Sequence, residues 1–200
     1  MKLEISAIKR LKDLTGVGLT DAKNALIESK GDFDKALQEM RKKGLTKAEK
    51  RSEREAREGV IGTYNHDNRI GVILEVNCET DFVAKNEIFS NLVKDLAMQI
   101  AAANPSYLSL DKVSSKDKEE ISKEFQQKAI TENKPKEMID RIVTNQTDKY
   151  FSEKCLLEQE YIKDPNIKVK DLLNEHIAKL GENIVIKRFH RMSLGEVSAS

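Results

Sequence analysis

Residues 59–77 read GVIGTYNHDNRIGVILEVN, and the fold turns on this stretch. Two runs rich in β-branched residues, 59–64 and 69–77, flank Asn65-His66-Asp67-Asn68. Those four residue types favour a tight turn, so the stretch predicts a β-hairpin. Val72, Leu74 and Val76 alternate onto one face of the second strand, with Ile73 on the other.

Outward toward the C-terminus the period becomes helical. Over Asn86–Ala103 a broad apolar stripe of Ile88, Phe89, Leu92, Val93, Leu96, Ala97, Ile100 and Ala101 marks a core helix, stopped by Asn104-Pro105. A polar connection over 106–116 leads to two expected helices, 116–132 and 135–157, separated by Asn133-Lys134-Pro135. Pro135 suits the first turn of the second. Asp164-Pro165-Asn166 predicts a turn. Lys168 to Leu180 predicts a helix with Val169, Leu172, Leu173 and Ile177 inward, ended by Gly181. Asn183 to Met192 predicts a last strand, with Ile184, Ile186 and Arg188 on one face. It has no hairpin neighbour, so it is expected to return and pair with the strands of 59–77.

Toward the N-terminus, residues 46–58 (TKAEKRSEREARE) lack large apolar side chains and predict a solvated helical linker. Arg51–Glu55, Glu53–Arg57 and Arg54–Glu58 are candidate i,i+4 pairs, each worth about 0.3–0.5 kcal/mol when exposed. The first 45 residues predict three short helices. Ile5, Ile8, Leu11 and Leu14 recur at a spacing of three, Thr15-Gly16-Val17-Gly18 breaks that helix, and Thr20 can cap the next. Lys30-Gly31 ends the second helix, Asp32 caps the third, and Gly44 closes it. The expected class is α+β, mainly helical: a three-helix domain over 1–45, a charged helical linker over 46–58, and a core domain over 59–200 in which an antiparallel sheet packs with helices.

Composition narrows the function. The chain has 200 residues, 38% hydrophobic and 34% charged, with 35 basic against 34 acidic side chains for a net charge of +1. A balance so close to zero argues against a protein that coats nucleic acid. The longest apolar run, Ile100–Ala103, is far short of the roughly 20 residues that span a bilayer, so no membrane partner is expected. Cys78 and Cys155 make no disulfide framework and suit a reducing cytoplasm, although one bridge remains open.

Catalytic signatures are missing. No Walker-type loop, dinucleotide fingerprint or nucleophile elbow occurs, and the cysteines lack Cys-x-x-Cys spacing. His66, His176 and His190 fall far apart in different elements. Neither an enzyme nor a bound cofactor or metal is expected. Two classes remain: a module acting on another protein, and an RNA-associated helical factor using the basic segment 41–57. The glutamates interspersed through that segment favour a solvated face over an RNA patch.

One segment departs from ordinary packing. A hydrophobic strand ends at Val76, Thr80 offers a helix cap with Asp81 in the first turn, and Phe82 and Val83 follow. One reading is a cap plus a hydrophobic contact that fixes the strand-to-helix turn. The other is a tip that presents a carboxylate and an aromatic anchor to a partner.

Here the chain resembles the elongation factor Ts family, the guanine-nucleotide exchange factors of elongation factor Tu. The resemblance rests on Leu14-Thr15-Gly16-Val17-Gly18 with Asp21-Ala22-Lys23 and Gly31-Asp32, on Ile70–Ala84 (IGVILEVNCETDFVA), on Cys155-Leu156-Leu157-Glu158-Gln159, and on Ile177–Phe189 (IAKLGENIVIKRF). It implies that residues 1–45 are a ubiquitin-associated-type (UBA-like) domain touching the nucleotide-binding domain of Tu, with Thr15, Gly16, Val17 and Gly18 as a weaker contact. It implies that Thr80, Asp81, Phe82 and Val83 intrude beside the Mg²⁺ site of Tu. Asp81 and Phe82 would displace side chains that hold the metal, so that GDP leaves. The metal is the partner's; this chain needs no cofactor and no direct nucleic-acid contact. One copy of the hairpin-plus-tip pattern occurs where longer members carry two core modules. The short type implies a homodimer, with the last strand and the segment around Phe189 at its interface.

Overall fold

The computed structural model describes residues 4–15, 17–132 and 134–196. Strands β1 (Glu58–His66) and β2 (Ile70–Cys78) form the expected hairpin, with Gly62 opposite Leu74 and Tyr64 opposite Val72. Asp67 and Asn68 carry the turn at φ of 51° and 56°, left-handed values that short polar side chains tolerate. Asn65 Oδ1 accepts the Asn68 N–H at 2.8 Å and closes it. Strand β5 (Val185–Ser193) returns antiparallel to the free side of β2, giving the order β1-β2-β5. The α+β class read from the sequence is the one observed.

Val72, Leu74, Val76 and Cys78 are buried on one face of the central strand, while Ile73 is 50% exposed on the other. The expected alternation of β5 fails at Lys187. Ile186 lies opposite Val76 and Arg188 opposite Glu75, a one-residue slip that turns Arg188 to the face opposite Ile186. There Arg188 Nε meets Glu75 Oε2 at 2.8 Å.

Helix α5 (Glu87–Ala103) buries Phe89, Leu92, Val93, Leu96, Ala97, Ile100 and Ala101. It approaches β1 so closely that a Cβ on Gly62 would overlap Val93 Cγ1. A short helix α4 (Asp81–Ala84) precedes it, and α8 (Val169–Leu180) buries Val169, Leu172 and Ile177.

Helices α1 (Ile5–Thr15), α2 (Leu19–Glu28) and α3 (Phe33–Glu49) enclose Ile8, Leu11, Ala22, Ala25, Leu26, Ala36 and Met40. Several local readings need correction. A spacing of three drifts about 60° per step around a helix with 3.6 residues per turn; Ile8 and Leu11 are buried with Thr15, but Ile5 and Leu14 are exposed. Helix α2 starts two residues early, so Gly18 is its N-cap and Thr20 lies within the first turn. Gly44 does not close α3. A Cβ there would make an ordinary contact with Ala178 Cβ at 3.7 Å where α3 runs against α8, and the helix continues to Glu49. The linker is therefore helical only to Glu49; residues 50–54 turn and bend, and 55–57 lead without regular structure into β1. Without helical spacing the expected i,i+4 pairs do not form. Arg57 meets Glu55 at 2.6 Å, Arg54 meets Glu79 at 3.6 Å, and Arg41 meets Glu175 at 2.8 Å.

The chain divides into two compact units, one of Met1–Ala101 with Lys170–Ser200 and one of Ala102–Val169. In the latter, α6 (Ser115–Thr131) and α7 (Lys136–Lys154) form a helical hairpin. Val113, Phe151 and Cys155 are its core, against Tyr107, Ile121 and Tyr150. Burial pushes the Tyr107 phenol up to about 12. Pro135 is the N-cap of α7 rather than a member of its first turn, and Asn133 lies outside the described residues. Helix α7 stops at Lys154, short of the expected 157. The 164–166 turn is instead the start of strand β4 (Asp164–Lys168), which pairs with β3 (Glu160–Tyr161). The turn lies two residues earlier, at 162–163.

Candidate functional site

The segment after β2 is built by its neighbours before it can act. Cys78 ends the strand fully buried, its Sγ–H donating to the Thr80 carbonyl at 3.2 Å. Burial pushes this thiol up to about 11, which keeps it neutral and anchors the strand end. Both cysteines are free and buried. Thr80 then caps α4: its backbone is extended and its Oγ1 accepts the Val83 N–H at 3.4 Å. Ala84 is buried, so the single turn of helix is held at its C-terminal end.

Asp81 and Phe82 fall on the outer side of that turn. Phe82 is 82% exposed, the highest among the exposed large hydrophobic side chains of the described residues. The hydrophobic contact of the packing reading is therefore not made by Phe82, although the cap half of that reading is present. Asp81 Oδ2 accepts from Lys85 Nζ at 2.7 Å. That hydrogen bond and the attraction between the two charges hold the Asp81 carboxyl below its usual range and the Lys85 ammonium above its own. Asp81 is thus ionised at neutral pH beside an exposed aromatic ring. Val83 is half-buried.

The remaining expected contact residues lie at the α1–α2 junction. Thr15 is buried and its Oγ1 donates to Leu11 O at 2.6 Å. Val17 packs on the core of the three helices, Gly18 is exposed, and Gly16 lies outside the described residues. Of this quartet Gly18 alone is exposed among the described residues, with Val17 half-buried.

Three residues that the local reading of the tip left out support it. Glu182 Oε1 accepts from Thr80 Oγ1 at 2.6 Å, and its Oε2 accepts the backbone N–H groups of Glu79 and Thr80 at 3.1 and 3.0 Å. Glu79 Oε1 in turn accepts the Asn183 N–H at 2.6 Å. Asn183 is buried, its Nδ2 donating to Arg54 O at 2.7 Å and Ser52 O at 3.3 Å. The signals that point to them are the Gly181-Glu182-Asn183 triplet inside the Ile177–Phe189 motif and, for Glu79, its place inside the Ile70–Ala84 motif.

Among the described residues no three His, Cys, Asp or Glu side chains gather as a metal site, and no helix is long and apolar enough to cross a membrane. The arrangement is an exposed aromatic and an ionised carboxylate on a braced turn.

The model of the elongation factor Ts family matches residues 19–196. This chain belongs to the elongation factor Ts family. It is 53% identical over 195 residues to elongation factor Ts of Caldanaerobacter subterraneus subsp. tengcongensis, covering 97% of this chain and 98% of that protein. The same factor from Thermoanaerobacter sp. is 51% identical over 97% of this chain and 96% of its own length. That from Thermodesulfovibrio yellowstonii is 47% identical over 98% of each. Membership in the elongation factor Ts family places the chain among translation elongation factors.

Proposed function

We propose that this chain is a guanine-nucleotide exchange factor that binds elongation factor Tu·GDP and uses Thr80, Asp81, Phe82 and Val83 to open the nucleotide site. One observation carries the reading: Phe82 stands 82% exposed on a turn whose flanking backbone is tied down. An aromatic ring left in water is a poor use of a core residue. Burying it in a partner's cavity gains about 1.5–3 kcal/mol, and its fixed position lowers the entropy lost on docking.

The mechanism is linkage. Phe82 occupies space beside the Mg²⁺ site of Tu, and the ionised Asp81 competes for groups that hold that metal. Without the metal's bridge to the phosphates, GDP is bound more weakly. A factor that binds nucleotide-free Tu more tightly than Tu·GDP lowers the affinity for GDP by the same factor. The factor makes and breaks no covalent bond in this cycle, and the metal is the partner's. Val17 and Gly18 add a weaker contact from the N-terminal helices, with Thr15 bracing them from within. The reading places the factor in the cytoplasm.

The same reading makes the factor a homodimer. The sheet face opposite the core supports it, since Ile61 (57% exposed), Ile73 and Met192 (71%) leave apolar surface in water there, beside the Arg188–Glu75 pair.

The deciding experiment is release of a fluorescent GDP analogue from elongation factor Tu. Catalytic amounts of the factor are expected to accelerate release without hydrolysis. Phe82→Ala is expected to slow it by about tenfold to hundredfold, as truncating a central aromatic anchor does. No acceleration by the unsubstituted factor refutes the proposal.

A further inference from the structure

We infer that Glu182 is the positioning residue of the exchange tip: from the α8–β5 connection it holds the Thr80 hydroxyl and two backbone N–H groups, and so sets where Asp81 and Phe82 project. The inference rests on the exchange reading and goes beyond it to residues about a hundred positions away.

Helix α4 is four residues long. One turn fixes several dihedral angles for very few hydrogen bonds and does not persist by itself in water. The geometry of Asp81 and Phe82 must therefore be imposed by other groups. Phe82 cannot impose it, being exposed, and the Asp81–Lys85 pair is solvated. Glu182 can. Its carboxylate receives three donors from residues 79 and 80, charge-assisted bonds of the stronger kind.

The Thr80 hydroxyl has one proton and two lone pairs. Its proton goes to Glu182 at 2.6 Å, which turns a lone pair toward the Val83 N–H. The cap that starts α4 is thus oriented by Glu182. The anchor is itself fixed. Asn183 donates its N–H to Glu79 and its side-chain amide to Ser52 and Arg54, so carboxylates cross between the two loops in both directions. With both carboxylate oxygens engaged by residues 79 and 80, Glu182 acts through the tip.

The test is a double-mutant cycle on the full-length factor, reading kcat/KM for GDP release from elongation factor Tu and the Tm of each variant. Glu182→Ala is expected to lower kcat/KM by about tenfold to hundredfold, the scale of loss when a positioned group is displaced by about 1 Å. Glu182→Gln is expected to lose less, because its amide oxygen still accepts the two N–H groups. In a Phe82→Ala background, Glu182→Ala is expected to cost clearly less, the remainder being the displacement of Asp81, while the Tm shifts of the two substitutions add. Hydrogen exchange at the Thr80 and Val83 amides should accelerate in Glu182→Ala.

Wild-type exchange by Glu182→Ala, with Phe82→Ala slow, overturns the positioning role and leaves the exchange reading intact. An equal slowing in both backgrounds also overturns it, since Glu182 would then act through general stability. A wild-type rate for Phe82→Ala fails the exchange reading, and the positioning role falls with it. Should Glu182→Ala not fold, Thr80→Val runs the same cycle, with Thr80→Ser expected to restore exchange and a failure to restore it counting against the inference.

Discussion

Phe82 and Phe89 are seven residues apart and meet opposite environments. Phe89 is fully buried on α5, whereas Phe82 is 82% exposed on the turn just before it. Both follow a strand rich in apolar residues, and both sit in helical turns. The difference is what surrounds them. Phe89 lies on the inward stripe of a 17-residue helix, and Phe82 on a four-residue turn whose inner contact is already supplied by Ala84. One ring stabilises the fold; the other stands in water, where the proposed function gives it a partner to meet.

The hardest test of that contrast is Phe89→Ala. Removing a buried ring deletes transfer energy and leaves a cavity, so a loss of about 3–5 kcal/mol is expected in urea unfolding. Against a total of about 5–15 kcal/mol for a typical domain, that is a large share. Exchange activity should fall with the folded fraction. A loss under about 1 kcal/mol would break the comparison, because Phe89 would then contribute no more than a surface residue.

A smaller effect on the fold is expected within β2, where Leu74 faces the core and Ile73 the opposite side. Ile73→Lys should change monomer stability by about 0.5 kcal/mol or less, as surface substitutions do. It should shift the sedimenting species from a dimer to a monomer of 22.7 kDa. A monomeric mass for the unsubstituted factor at micromolar concentration would sink the dimer proposal.

The contrast also shows how much was legible in the sequence. The hairpin, the long apolar stripe of α5 and the return of β5 all rest on repeating patterns, and a pattern survives without knowledge of neighbours. What escaped depends on a single distant contact. Gly44 reads as a helix stop by residue type alone, yet it keeps a helical backbone where α3 lies beside Ala178, and the helix runs on to Glu49. Arg188 belongs with Ile186 by alternation until the bulge at Lys187 turns it toward Glu75. At the tip, the Thr80 cap was legible from local residue types. Its support by Glu182 was not, because 102 positions separate the two and neither residue type is unusual where it stands.

The mildest expected effect on the fold belongs to Asp81 and Lys85, and it sharpens the comparison most. Their ion pair lowers the folded pKa of Asp81 from 3.8. A depressed carboxylate pKa contributes stability above its unfolded value, and that contribution is lost as pH falls through the folded one. Both groups are solvent-exposed, so water and salt screen most of the contribution. Asp81→Asn is therefore expected to leave the urea midpoint unchanged at pH 7, and any residual difference should vanish well below pH 3.8. Exchange on elongation factor Tu should nonetheless slow, because the lost charge is one that the tip presents to its partner. A large fall in the urea midpoint would instead make Asp81 part of the scaffold, like Phe89. A pair that costs the fold almost nothing to open is one whose carboxylate can leave Lys85 for a group on another protein, which is what the proposed role requires of it.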